Sequence, residues 1–133
     1  MYSDTFTGCH LKNSVGQSRA FPTLGRNAML QQDDVSGLVH LILAGSCIGT
    51  SASRPSPLAM PSFAWKLTDN EVADVPTHLR FSWGNQANAV SAQEVADARN
   101  RLKSAIVAYP ALPTVPPVWS RCKGLFKLCL VHR

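Results

Sequence analysis

The chain has 133 residues, which is enough for one small domain with a modest core. Only 16% of the residues are charged, and the net charge of +5 is distributed unevenly along the chain. Residues 118–133 carry four basic and no acidic side chains, while residues 1–117 carry nine basic and eight acidic ones. The excess positive charge therefore belongs to the C-terminal tail, which argues against nucleic acid as a partner of the domain. No apolar run reaches the length of a membrane span, so membrane contact is expected only through the tail.

The first motif along the chain is FTGCH, from Phe6 to His10, which is one residue short of the haem-attachment pattern C-x-x-C-H. In that pattern each Cys forms a thioether with a haem vinyl group and the His binds the iron. Phe6 stands where the first Cys belongs, and Cys9 supplies the second. A Cys-His pair alone is more often coincidence than a site, so this interpretation requires a second iron ligand elsewhere in the chain.

A polar loop and a helix are predicted next. Residues 12–27 contain Phe21 and Pro22. On local grounds this pair predicts a turn against which the Phe21 ring packs. Asp33 to Ala44 is predicted to be a helix that ends at Gly45. Its apolar face is expected to contain Leu38, Val39, Ile42 and Leu43.

The second candidate ligand lies in the stretch 58–85. Met60 occupies an apolar loop together with Phe63 and Trp65. A methionine in such a loop is usually core filler, but its soft thioether suits a metal when another ligand is present. Paired with His10, it gives the His/Met axial set that cytochromes c use.

Two S/T-x-x-E capping boxes predict helix starts in the second half of the chain, at Thr68 to Glu71 and at Ser91 to Glu94. The first helix is expected to run from Asp69 to Trp83 and the second from Ala92 to about Val107. Pro76 lies inside the first helix, where proline removes a backbone donor at a cost of about 3 kcal/mol. The sequence therefore predicts a kink there, or relaxed constraint on this copy of the domain.

The sequence changes character after these helices. Four prolines between residues 109 and 118 favour an extended linker, and residues 119–133 are basic and apolar. We divide the chain into a domain at 1–103, a proline-rich linker at 104–118 and a tail at 119–133. The tail could contact a membrane or a partner helix, and a disordered extension is the preferred interpretation.

Residues 2 to about 99 resemble a c-type cytochrome domain, in particular the last haem domain of the multihaem cytochrome subunits of membrane-bound alcohol, aldehyde and gluconate dehydrogenases. The matching segments are YSDTFTGCH, AFPTLGRN, SGLVHLILAGS, PSPLAMPSFAWKLTDNEVADV, RFSWGN and AVSAQEVADAR. The resemblance implies an all-α, small cytochrome c-like helical domain with long loops around haem, followed by an irregular C-terminal extension. The polar start carries no signal-peptide pattern, so the family's first helix and an exported N-terminal portion are expected to be truncated here.

The resemblance also implies a cofactor and its ligands. One haem c per chain would be attached by a single thioether to Cys9, with His10 and Met60 as the axial iron ligands. The carbonyl of Pro22 would accept the free N–H of the ligand histidine and fix its orientation. Further haem contacts would come from Phe63 and Trp65.

The function implied is electron transfer, without substrate chemistry, from a dehydrogenase partner or neighbouring haem towards the quinone and oxidase respiratory chain. The expected location is the periplasm or the periplasmic face of the inner membrane. One alternative is a haemless remnant that acts only as a protein-interaction module. A thiol or metal enzyme using Cys9, His10 and Cys47 ranks last, because no acidic residue or second His flanks the pair at ligand spacing.

Overall fold

A computed structural model describes residues 2–18, 20–48 and 58–108 of the chain. Within these ranges there are six helices and one two-stranded antiparallel sheet: α1 (Tyr2–Thr5), α2 (Thr7–His10), α3 (Ala28–Gln31), α4 (Ser36–Ala44), β1 (Ser46–Ile48), β2 (Leu58–Met60), α5 (Asp69–Phe81) and α6 (Ala92–Ala108). The prediction of a small, mostly helical domain is confirmed.

The core forms where α4, α5 and α6 pack against one another. The predicted apolar face of α4 is buried as expected. From α5 and α6, the side chains that join it are Val72, Val75, Leu79, Val95 and Ala98. Burying a side chain of this kind contributes about 1.5–3 kcal/mol, so these three helices supply most of the apolar stabilisation that holds the loops between them.

Both predicted capping boxes are present. The backbone N–H of Thr68 donates to the Glu71 carboxylate at 2.9 Å, and the N–H of Glu71 donates back to the Thr68 hydroxyl at 3.4 Å. The N–H of Ser91 donates to the Glu94 carboxylate at 2.8 Å, with the return bond at 3.3 Å. Each pair satisfies backbone donors that the first turn of a helix leaves without intrahelical partners.

Two helix boundaries differ from the prediction. α4 begins at Ser36 rather than Asp33, because the Asp34 carboxylate accepts from the Ser36 N–H at 2.9 Å and so precedes the helix. α5 ends at Phe81, since the next residue, Ser82, has an extended backbone with φ of −110° and ψ of 159°. α6 runs from Ala92 to Ala108, in agreement with the predicted end at about Val107, while residues 109–133, which include the tail, lie outside the described residues.

Pro76 lies inside α5 without ending the helix. Its ring is less than 2% exposed and adds apolar surface to the core between Val75 and Leu79. Within the ranges described, no helix combines the length and the apolar character that crossing a membrane would require.

Asn85 joins the loop before α3 to the end of α5. Its side chain is 2% exposed, and its amide donates to the carbonyls of Leu24 and Leu79 at 2.9 and 2.8 Å. Its carbonyl oxygen accepts from the Asn27 N–H at 3.2 Å and from the Gln31 side chain at 2.8 Å. All the hydrogen-bonding capacity of the buried amide is thus used, so the loop and α5 are fixed to one another.

The capping boxes predict an acid dependence of stability. Hydrogen bonds from the Thr68 and Ser91 caps lower the pKa of Glu71 and of Glu94. A carboxyl whose folded pKa is lowered stabilises the fold above its unfolded pKa, about 4.3, and this contribution is lost as the pH falls through the folded pKa. We therefore expect the Glu71→Gln/Glu94→Gln variant to be less stable than wild type at about pH 7 but closer to it at about pH 3 in urea unfolding. An equal gap at both pH values would contradict this.

The Asn85 network predicts a large local effect. Asn85→Ala leaves buried donors and acceptors on both segments without partners, and we expect the free energy of unfolding to fall by about 3 kcal/mol. Asn88→Ala, a change at an exposed side chain three positions away, is the matched control and should stay within about 0.5 kcal/mol of wild type. Urea unfolding measures both, and similar losses for the two variants would disprove the role given to Asn85.

Candidate functional site

The first half of the candidate site is the imidazole of His10, at the C-terminal end of α2. Its Nδ1 lies 3.2 Å from the carbonyl oxygen of Pro22, in a loop twelve residues further on. Because a carbonyl can only accept, we assign the proton to Nδ1, which leaves Nε2 with a lone pair for a metal. Burial lowers the pKa of His10, against the opposing effect of the Pro22 hydrogen bond. The neutral imidazole, the form that coordinates metals, is therefore favoured.

Gly16 permits this approach of Pro22. Its φ is +64°, and a Cβ built at this position would lie 2.6 Å from the Pro22 carbonyl oxygen. Its N–H donates to the His10 carbonyl at 3.2 Å, and the neighbouring Gln17 forms a β-bridge with Phe21. The chain thus turns back on itself after α2, and only a residue without a side chain fits inside the turn.

The second half of the site is Met60, at the end of β2. Met60 is paired with Ser46 of β1, and its half-buried side chain packs against the core. Between α4 and β1 lies Gly45, whose φ is +76° and whose Cβ, if present, would lie 2.6 Å from the Met60 carbonyl oxygen. The methionine backbone therefore passes directly over the end of α4, where a side chain would block it.

The loop after Met60 is bonded to carbonyls at the end of α4. The Ser62 hydroxyl donates to the Leu43 carbonyl at 2.5 Å, and the Phe63 N–H donates to the Ile42 carbonyl at 3.0 Å. Carbonyls in the last turn of a helix lack intrahelical donors, so the loop satisfies them while α4 fixes its position.

Arg99 of α6 holds the same loop from the other side. Its guanidinium donates to the carbonyls of Ala64 and Leu67 at 2.7 and 2.9 Å and forms an ion pair with Asp69 at 2.8 Å. Since guanidinium carries several donors in a fixed plane, one side chain fixes both ends of the turn between Met60 and α5.

The two halves meet at two aromatic rings. Phe6 is 4% exposed, and its ring centroid lies 4.9 Å from that of Phe63, which is 9% exposed. Phe21 lies beside the imidazole, with its ring centroid 6.4 Å from that of His10. Cys9 is half-buried on α2, next to His10.

Trp65 is placed differently from Phe63. Its side chain is 83% exposed, whereas that of Phe63 is buried in the core. The turn at residues 64–66 directs Trp65 outwards while Phe63 packs inwards. Its contact with haem stays a prediction.

Other features of the described part of the chain lie away from His10 and Met60. A surface cleft of about 480 Å³ is lined by Phe81 and residues 84–88, and neither His10 nor Met60 lines it. Within the described ranges, no three His, Cys, Asp or Glu side chains are grouped as a metal site would need. Cys47 lies in β1, opposite Ala59 of β2.

Sequence reasoning identified His10, Met60 and Pro22 but missed the residues that place them. Gly45 is predicted there only as a helix stop, and Arg99 is only the last residue of one matching segment. A signal existed for Gly45, since a glycine after a helix often has positive φ. The close backbone approach at each glycine, however, depends on residues far along the chain.

Three curated proteins are similar to this chain. It is 37% identical over 92 residues to the cytochrome c subunit of alcohol dehydrogenase (quinone) from Gluconobacter oxydans (strain 621H), covering 68% of this chain and 19% of that protein. It is 34% identical over 101 residues to the gluconate 2-dehydrogenase cytochrome c subunit of Pantoea cypripedii, covering 74% and 23%. The alcohol dehydrogenase (quinone) cytochrome c subunit of Gluconacetobacter polyoxogenes is 34% identical over 93 residues, covering 69% and 20%.

The helical fold, His10 and the loop that carries Met60 thus occur in a chain homologous to c-type cytochromes. More particularly, the chain is homologous to part of the cytochrome c subunits of alcohol and gluconate dehydrogenases, which confirms the expected resemblance. The chain spans about a fifth of the length of these relatives. No protein-family model matches it.

The two site glycines can be tested against a third. Gly16→Ala and Gly45→Ala should each lower the free energy of unfolding by more than about 1–2 kcal/mol, because the left-handed backbone alone costs that much for an L-residue and the added Cβ also displaces a carbonyl. The control is Gly8→Ala in α2, where a Cβ meets nothing within 4 Å. Urea unfolding should show no loss for the control. Equal stability of all three variants would contradict the crowding described here.

Proposed function

We propose that this chain is a haem-binding electron-transfer domain, with one haem c attached through Cys9 and ligated by His10 and Met60. The observation that carries the proposal is the hydrogen bond from His10 Nδ1 to the Pro22 carbonyl, which fixes the imidazole and leaves Nε2 available. The homology to cytochrome c subunits supports it independently.

The donor chemistry of the described residues fits a haem. A neutral imidazole and a thioether are the axial ligands found in cytochromes c. Each is placed by a glycine that lets the backbone approach closely, Gly16 on the histidine side and Gly45 on the methionine side. When bound, the haem supplies an iron that changes oxidation state by one electron.

The remaining residues would control the surroundings of that iron. Pro22 would hold the imidazole in one orientation and tautomer and increase its basicity as a ligand. The Met60 thioether favours the reduced iron and so raises the reduction potential. The buried rings of Phe6 and Phe63 would limit the access of water. If His10 and Met60 both held the iron, no coordination position would remain for oxygen.

We infer the partner from the names of the relatives, which are subunits of dehydrogenases. Electrons would come from a dehydrogenase subunit or a neighbouring haem domain and pass towards the quinone and oxidase chain. The corresponding location is the periplasm or the periplasmic face of the inner membrane. Pull-down with a quinone-dependent alcohol dehydrogenase tests this part separately.

Spectroscopy of the exported protein tests the proposal. Co-expression with haem-attachment machinery should give a protein with a c-type absorbance band that sharpens with dithionite. Met60→Ala should open one axial position, so that the reduced protein binds carbon monoxide, while His10→Ala should lower haem content. Met29→Ala, at a methionine that is 39% exposed, is the control and should behave as wild type. A colourless wild-type protein would refute the proposal.

A haemless interaction module is the second candidate. It is favoured by the burial of Phe6, because the position of the first thioether cysteine is filled by a ring that packs on Phe63. A haemless module would be colourless yet still bind a dehydrogenase subunit. The pull-down and the spectrum, measured on the same sample, therefore separate the two candidates.

A further inference from the structure

Phe6 stands at the position of the first cysteine in the haem-attachment pattern, and its ring is built into the core. It is 4% exposed, with its centroid 4.9 Å from Phe63 and 6.1 Å from Tyr2, whose ring is nearly parallel to it. Tyr2 is itself fixed, because its hydroxyl donates to the Leu11 carbonyl at 2.9 Å and its ring lies 5.1 Å from Trp83. Phe6 therefore packs on one aromatic ring of its own segment, Tyr2, and on one of the methionine loop, Phe63.

The backbone of Phe6 belongs to the histidine segment. Its carbonyl accepts from the His10 N–H at 2.9 Å and from the Cys9 N–H at 3.2 Å. Phe63, in contrast, belongs to the methionine loop and is bonded through its N–H to the Ile42 carbonyl of α4. The contact between the two rings thus joins the segment that carries one candidate ligand to the segment that carries the other.

We propose that Phe6 is a positioning residue, which holds the His10 segment against the Met60 loop through Phe63 instead of through a bond to haem. In the two-cysteine pattern a thioether bond anchors this position to haem. Here it is fixed by side-chain packing, so the two ligand segments are assembled before haem attachment. The contacts described above are sufficient to support the assembly of the two segments. The effect of this assembly on Met60 ligation rests on the proposed function.

The strength of the ring contact sets the expected effect. Aromatic pairs contribute about 0.5–1.5 kcal/mol beyond their buried area, which corresponds to about a two- to tenfold change in the folding equilibrium constant. A double-mutant cycle isolates this contribution, because the losses of packing that each variant suffers alone cancel.

The first test uses the full chain produced without haem-attachment machinery. Phe6→Leu, Phe63→Leu and the double variant are compared with wild type in urea unfolding, with Phe81→Leu, at a ring that is 64% exposed, as the matched control. We expect a coupling of about two- to tenfold between Phe6 and Phe63 and none between Phe6 and Phe81. Independent effects of Phe6 and Phe63 would overturn the proposal. Leucine keeps both sites apolar, so the variants are expected to fold.

The second test uses the haem-loaded protein and measures carbon monoxide binding, which protein stability alone does not determine. If Phe6 positions the methionine loop, Phe6→Leu and Phe63→Leu should increase the fraction of reduced protein that binds carbon monoxide, and Phe6→Tyr should restore the wild-type fraction. Phe81→Leu should leave it unchanged. Wild-type carbon monoxide binding in Phe6→Leu would overturn the positioning role. Failure of the wild type to take up haem would instead refute the proposed function, while the cycle in the haem-free chain would still test the ring contact.

Discussion

The hydrogen bond between His10 and the Pro22 carbonyl is the contact on which the candidate site depends. It selects the Nδ1–H tautomer, and burial of the ring keeps the imidazole neutral by lowering its pKa. The bond forms because Gly16 lets the backbone of Pro22 approach within a distance that any Cβ would prevent. The local chemistry of the histidine therefore follows from a backbone conformation six residues away.

On the methionine side a glycine again permits a close backbone approach, but different residues hold the loop in place. Gly45 lets the backbone of Met60 pass over the end of α4, and the carbonyls of Ile42 and Leu43 then hold the loop. Arg99 binds the loop from α6. Because α4 and α6 pack together in the core, the position of the methionine is fixed by the same helices that stabilise the fold.

The parts that the sequence predicts well are those governed by neighbouring residues. The two capping boxes, the buried face of α4 and the start of α5 at Asp69 all follow from spacings of three or four positions. The end of α5 lies before the predicted one because Trp83 continues the apolar period although the backbone is already extended at Ser82, which periodicity does not report.

The parts that could not be predicted depend on contacts between distant segments. Asn85 uses its amide on segments that precede it by 6 to 61 positions, and no local pattern encodes such a set. The same holds for Arg99, which reaches loop carbonyls more than thirty positions earlier. Trp65 lies in the same loop as the buried Phe63 but is 83% exposed, and the sequence pattern does not distinguish the two positions.

The most direct test of the proposed iron ligation is a ¹³C,¹H NMR spectrum of the reduced, exported protein labelled at the methionine methyl groups. The chain has three methionines, Met1, Met29 and Met60, so the spectrum is readily assigned by substitution. The account predicts that the Met60 methyl resonance alone is shifted far upfield by the ring current of a haem that it ligates. Three methyl resonances at ordinary positions in a haem-loaded sample would contradict it.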